Sequence, residues 1–165
     1  MNHRTNSLLA ATLVLALAHS PLNGQSASVT YYGNTVCSGS PAFSVSGLPR
    51  LGSTIRVITD PSVRYPTGSS QNSLLLGLSD QNAGGVKLPF DLSSLTFLWC
   101  GLLLNSNEVW VSVPTGTSPM TMPFTVPNDP RILGASVYVQ ALRKRTGLIG
   151  VEHFLSRGAK LTIGR

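Results

Sequence analysis

The strongest constraint on this chain is how often it is interrupted. Beyond the first two dozen residues no helical apolar period lasts more than two turns. Short runs rich in Val, Ile, Thr and aromatics alternate instead with clusters of Gly, Pro, Asn and Asp. Sixteen Gly and eleven Pro in 165 residues supply the breaks, and a chain cut this often cannot build long helices. It reads as strands over residues 28–32, 42–46, 53–59, 73–78, 96–104, 108–113, 120–126, 136–142 and 159–163, with 148–155 a further candidate.

Several of these runs alternate as half-buried strands do. Ile55 and Val57 share one face opposite Arg56, and Val137, Val139 and Ala141 oppose Tyr138, Gln140 and Leu142. Leu74-Leu75-Leu76 and Leu102-Leu103-Leu104 are continuous, the pattern of a strand covered on both faces. Short connections favour antiparallel meanders and Greek keys over βαβ units. The expected fold is therefore an all-β antiparallel sandwich, Greek-key or jelly-roll-like, of about eight to ten short strands. One helical turn interrupts it over 129–134, where Asp129 is placed to cap, Pro130 to start and Gly134 to close.

The N-terminus has a different character. Arg4 and His3 precede an apolar run of about ten residues, Leu8 to Ala18, ending in Ala16-Leu17-Ala18. This predicts a secretory signal peptide within residues 1–26, cleaved after Ala18 or near Ser26, followed by one domain over 27–165. The run is half the roughly twenty residues a membrane span needs, so no transmembrane segment is expected in the mature chain. Charged residues make up 11% of the chain and its net charge is +6, too mild an excess to make nucleic acid the default partner. Only two cysteines occur, Cys37 and Cys100. In an exported chain such a pair is most simply one disulfide, at the cell surface, in the periplasm or outside the cell.

Catalytic chemistry finds few residues to work with. His153 is the one histidine certain to remain after signal removal, and no serine sits in a G-x-S-x-G elbow. A hydrolase would need His153 beside a serine and a carboxylate; the simpler reading makes it a surface or edge-strand residue next to Glu152. Six acids, Asp60, Asp80, Asp91, Glu108, Asp129 and Glu152, show no pairing that singles out a glycosidase. Asp80 with Asn82, or Asn105, Asn107 and Glu108, offer a few oxygens, but no D-x-D-x-D-G loop or zinc spacing exists. No metal and no cofactor is assigned.

Two features remain as candidate binding elements. Arg143-Lys144-Arg145, at the expected end of a strand, is either a patch for anionic polysaccharide or envelope components, or a charged turn that blunts a strand edge. Among Tyr31, Tyr32, Tyr65, Trp99 and Trp110, Tyr65 lies in a loop and is the best candidate for an exposed sugar-stacking ring, while Trp99 is expected to pack on the disulfide.

Taken together, several motifs have a family look: Tyr32-Gly33 then Cys37-Ser-Gly39, Gly47-Leu-Pro49-Arg50-Leu-Gly52, Leu88-Pro-Phe90-Asp91-Leu92, Cys100, Pro127-Asn-Asp-Pro130 with Leu133-Gly134, Val137-Tyr-Val-Gln-Ala-Leu142, and Leu161-Thr-Ile-Gly164. The set resembles an uncharacterised β-rich domain of exported proteins in environmental bacteria, and it covers nearly all of the mature chain. The resemblance implies a cysteine pair and a compact extracellular domain; it implies no activity and no catalytic residues. The chain departs from it at Arg143-Lys144-Arg145, where relatives carry a less basic turn. The expected function is a secreted, non-catalytic structural or interaction module. A carbohydrate-binding module is the alternative, and a small hydrolase the third reading.

Overall fold

The computed structural model describes residues 25–34, 37, 39–60, 70–92, 99–113, 119–147 and 150–165. The proposed signal segment, up to residue 24, and Tyr65 lie outside them. The described chain is all-β apart from one 3-10 turn at Pro130–Ile132. One sheet contains β1 (Ser28–Tyr32), β4 (Ser70–Gly77), β10 (Val109–Val113), β12 (Ser136–Gly147) and β13 (Gly150–Thr162) in the order β1-β13-β12-β4-β10, with β8 (Trp99–Cys100) attached to β13. A second sheet has the order β11-β3-β2, from β11 (Met120–Thr125), β3 (Thr54–Asp60) and β2 (Ala42–Ser46). Between β4 and β10 the chain makes a long excursion. It contains β8 and two small pairings, β5 (Asn82–Ala83) with β6 (Val86–Lys87) and β7 (Phe90–Asp91) with β9 (Leu102–Leu103).

The two main sheets form a sandwich because their alternating apolar rows need one another. Phe43, Ile55 and Val57 of the smaller sheet close on Leu74, Val139, Ala141, Ala159 and Leu161 of the larger, all at most 5% exposed. Each fully buried Leu or Val side chain contributes about 1.5–3 kcal/mol relative to solvent exposure. Ala141 and Ala159, both at 0%, leave room for the larger residues opposite, as interdigitated layers require.

The larger sheet is also covered on its other face. Leu75, Leu142 and Leu155 point away from the sandwich and pack against Leu92 and Leu103 of the excursion. Continuous leucines in β4 are thus explained: Leu74 enters one core and its neighbour Leu75 the other.

Strand boundaries differ from expectation in three places. The strand expected over 96–104 is broken into β8 and β9 at Gly101, whose φ is 121°. A Cβ there would lie 2.9 Å from Cβ of Leu155, so only glycine lets the backbone press onto β13. The strands expected over 148–155 and 159–163 meet, within the described residues, in one strand, β13 (Gly150–Thr162), whose register with β12 shifts at a bulge. The strand begun at Ser136 continues to Gly147, carrying Arg143, Lys144 and Arg145 inside a ladder rather than at its end.

At the bulge, Gln140 pairs with Gly158 and Leu142 with Leu155, so Ser156 and Arg157 together face Ala141. Oγ of Ser156 accepts from the Ala141 amide at 2.9 Å and donates to the Arg157 carbonyl at 2.6 Å, which satisfies a backbone donor that the bulge would strand. Arg157 is turned outward. Its guanidinium lies 4.0 Å from the Tyr31 ring centroid and donates to the Phe43 carbonyl, while the Tyr31 hydroxyl accepts from the Val45 amide at 2.8 Å. Together they occupy the open edge of β2.

The turn at Pro130–Ile132 is capped as expected: Asp129 accepts from the Arg131 amide at 3.0 Å, and Gly134 has φ 80°.

Cys37 and Cys100 are joined, with Cα atoms 6.1 Å apart and a sequence separation of 63. β1 runs beside β13 from Thr162 to Gly158, and β8 takes the same edge further along, opposite His153 and Phe154. The disulfide therefore ties the chain leaving β1 to the strand that extends its edge. Closing a loop of this length stabilises by about 4 kcal/mol in the chain-entropy model. Cys37→Ser with Cys100→Ser should lower the urea unfolding free energy by about that amount; an unchanged midpoint would mean the bond bears no part of the stability.

Candidate functional site

Alternation along β12 separates the three basic residues that the sequence places side by side. Arg143 and Arg145 share the face that carries Val139 and Ala141, while Lys144 takes the opposite face. Arg143 is 2% exposed, with Asn72 and Phe154 as its cross-strand neighbours. Arg145 forms an ion pair with Glu152 directly across the hairpin, and its guanidinium lies 5.3 Å from the Phe154 ring centroid. Of the three, only Lys144 is exposed. The expected basic patch is thus divided into an interior arginine, a paired arginine and one free-standing ammonium. A ladder that continues to Gly147 is the physical reason, because a turn would have splayed all three outward.

His153 sits in β13, half-buried, with Lys144 and Trp99 as its register partners on either side. Burial lowers its pKa below the ordinary 6.5, and the Lys144 ammonium lowers it further. Glu152 precedes it in the strand and is engaged with Arg145 on the other face. Neither register partner is a nucleophile or a carboxylate, so the strand pairing itself assembles no Ser–His–Asp arrangement.

The aromatic candidates are dispersed. Tyr31 is 36% exposed at the β1 edge and is covered by Arg157; Trp110 is 53% exposed on β10, at the opposite edge of the same sheet. Tyr32 is turned inward, edge-on to Tyr138 at 6.1 Å, and its hydroxyl donates to the Leu104 carbonyl at 2.9 Å. Burial, with smaller contributions from Asp80 and Tyr138, raises its pKa far above the ordinary tyrosine value, so the phenol stays protonated and able to donate. Tyr65 and the ring of Trp99 fall outside what the structure describes.

Two of the groups considered for a cation, Glu108 and Asn105, are engaged within the fold. Glu108 accepts from the Leu78 amide at 3.0 Å and from the Ser106 hydroxyl at 2.7 Å, and Ser106 in turn accepts from the amides of Leu78 and Ser79. Asn105, 0% exposed, donates to the Leu75 carbonyl and accepts from the Asn107 amide. Among the described residues, no three His, Cys, Asp or Glu side chains gather as a metal site would require.

The side chain with the most consequential partners is one that the sequence pattern does not single out. Gln140, 0% exposed, accepts from the Leu104 amide at 3.1 Å and donates to the carbonyls of Leu102 and Ser156, both at 2.7 Å. It joins the middle of the larger sheet to the excursion lying on it. The only sequence signal is an amide placed on the strand face shared with Leu142, an apolar row in which a polar residue must bring its own partners.

No family model matches the chain, and no curated protein or solved structure matches it either. Whatever function is assigned therefore stands on its own residues.

The depressed pKa of His153 has a defined sign in stability. Between the native pKa and the ordinary 6.5, the unfolded chain binds a proton that the folded protein refuses. This contribution is complete above that range and is lost as pH falls through the native value. His153→Gln should therefore lose less stability than the parent between about pH 8 and about pH 5, measured as urea midpoints. Parallel pH profiles for the two proteins would refute the assignment.

Proposed function

We propose that this protein is exported and acts as a non-catalytic structural or interaction module at the cell surface, in the periplasm or outside the cell. The observation that carries the reading is how four enclosed polar side chains are used. Gln140, Asn105, Ser156 and Tyr32 each bond to backbone of a neighbouring segment, fastening strands and the excursion together rather than converging on a shared point where a reacting group would sit. Export is supported by the basic, then apolar N-terminal sequence and by the Cys37–Cys100 bond, which persists in oxidising compartments. Among the described residues, no helix is long and apolar enough to cross a membrane.

Among the described residues Lys144 has no ion-pair partner and is exposed on the larger sheet's face away from the sandwich, and Trp110 is exposed at that sheet's edge. An anionic polysaccharide or an acidic envelope component would engage the first, and a sugar face the second.

The exported chain should be isolated, its mass taken with and without reductant, and its binding measured against a panel of polysaccharides and cell-envelope fractions across salt concentrations. The proposal expects a mature mass beginning after Ala18 or near Ser26 that gains two hydrogens on reduction, with no hydrolysis of the panel. Binding that weakens with salt and with Lys144→Ala assigns the contact to charge; salt-insensitive binding lost in Trp110→Ala assigns it to ring stacking. Retention in the cytoplasm with free thiols, or turnover of a panel member, would refute the proposal.

A further inference from the structure

The outer face of the smaller sheet carries a charge order that points to its partner. Ile55, Val57 and Thr59 of β3 are buried toward the sandwich, which leaves Arg56, Ile58 and Asp60 as the outward row of the central strand. Its neighbours in register are short: Ser46 and Pro123 beside Arg56, Ser44 and Thr121 beside Ile58, and Ala42 beside Asp60. Arg56 and Asp60 are both exposed, and among the described residues neither has an ion-pair partner. Four residues apart on one strand, at about 3.4 Å per residue, they are too distant to pair with each other.

We propose that this face is a self-association surface, on which a second copy of the chain docks face to face with its central strand antiparallel to this one. A twofold axis lying across β3 at Ile58, in the plane between the two copies, reverses the order of positive, apolar and negative. Arg56 then meets Asp60 of the second copy, Asp60 meets its Arg56, and the two Ile58 side chains meet at the axis. One row supplies both halves of both ion pairs, the self-complementarity that a twofold interface demands. Any parallel arrangement sets arginine against arginine and aspartate against aspartate, so the charges also select the orientation.

The flanking residues permit the approach. The same axis sets Ser44 against Ser44, Thr121 against Thr121 and Ser46 against Ala42, all small enough for two sheets to pack about 10 Å apart. Three strands of about five residues offer a few hundred Å² per copy, well under the roughly 800 Å² of a standard interface. The expected species is accordingly a dimer that forms and dissociates with concentration. This inference concerns the opposite side of the molecule from Lys144 and Trp110 and does not depend on what they bind.

The experiment is sedimentation equilibrium of the full exported chain and of three variants: Arg56→Asp, Asp60→Arg, and the two combined. Each single reversal turns both ion pairs into like-charge contacts and should weaken dimerisation about tenfold or more, whereas the double reversal restores opposite charges and should recover the parent affinity to within about threefold. Both substituted positions are exposed, and circular dichroism melts establish that each of the three variants is folded. A parent that stays monomeric at every concentration overturns the proposal and leaves the face to a partner of other chemistry. Dimerisation that is indifferent to the single reversals, or that the double reversal fails to restore, overturns it equally.

Discussion

The central strands of the larger sheet are apolar on both sides, and everything else in the fold follows from covering them. The smaller sheet covers one side with an ordinary apolar core. Across the other side lies the excursion between β4 and β10, which has little regular pairing of its own: β5 to β9 are two residues each. Segments that short cannot satisfy their backbone groups by laddering, and buried amides and carbonyls must find partners or cost about 1–3 kcal/mol each. Gln140 supplies two of those partners from the middle of the sheet, to Leu102 and Leu104; Tyr32 supplies one to Leu104 and Asn105 one to Asn107, and the apolar contacts of Leu92 and Leu103 can then form.

The disulfide and the bulge serve that same cover from the edge. Cys100 belongs to β8, the one piece of the excursion that joins the larger sheet, and its bond to Cys37 holds it in line with β1. Gly101 immediately afterwards lets the chain rise off the sheet edge and cross Leu155. The bulge at Ser156 and Arg157 gives Gln140 the buried Ser156 carbonyl to bond and sends Arg157 to the other side, where it occupies the edge of β2. One irregularity in β13 therefore serves both layers.

How much of this was legible depends on which force decided each element. Strand class, the alternating rows of β3 and β12, and the capped turn at Asp129 follow from local pattern and were readable, as was the cysteine pairing from its count. The extent of β12 and β13 was not. Arg143, Lys144 and Arg145 look like a strand end or turn in a linear reading, and only pairing across the hairpin, where Arg145 meets Glu152, makes them strand residues. The basic cluster failed as a single patch for the same reason, since a period of two divides any three consecutive side chains between two faces. Gln140 and Arg157 were invisible because their roles are set by segments 38 and 114 residues away. The row of Arg56, Ile58 and Asp60 was legible as alternation, but its outward direction needed the buried partners of Ile55 and Val57.

The excursion around Leu104 is a fixed layer of the fold rather than a loose loop, and amide hydrogen exchange at Leu104 tests that directly. Its amide donates to Gln140 in a buried site and should exchange only on opening close to global unfolding, at rates like those of the β12 amides. In Gln140→Leu that protection should fall selectively, with β12 still protected. Exchange at Leu104 as fast as in an exposed loop in the parent protein, while β12 stays protected, would contradict the claim that Gln140 holds the second layer in place.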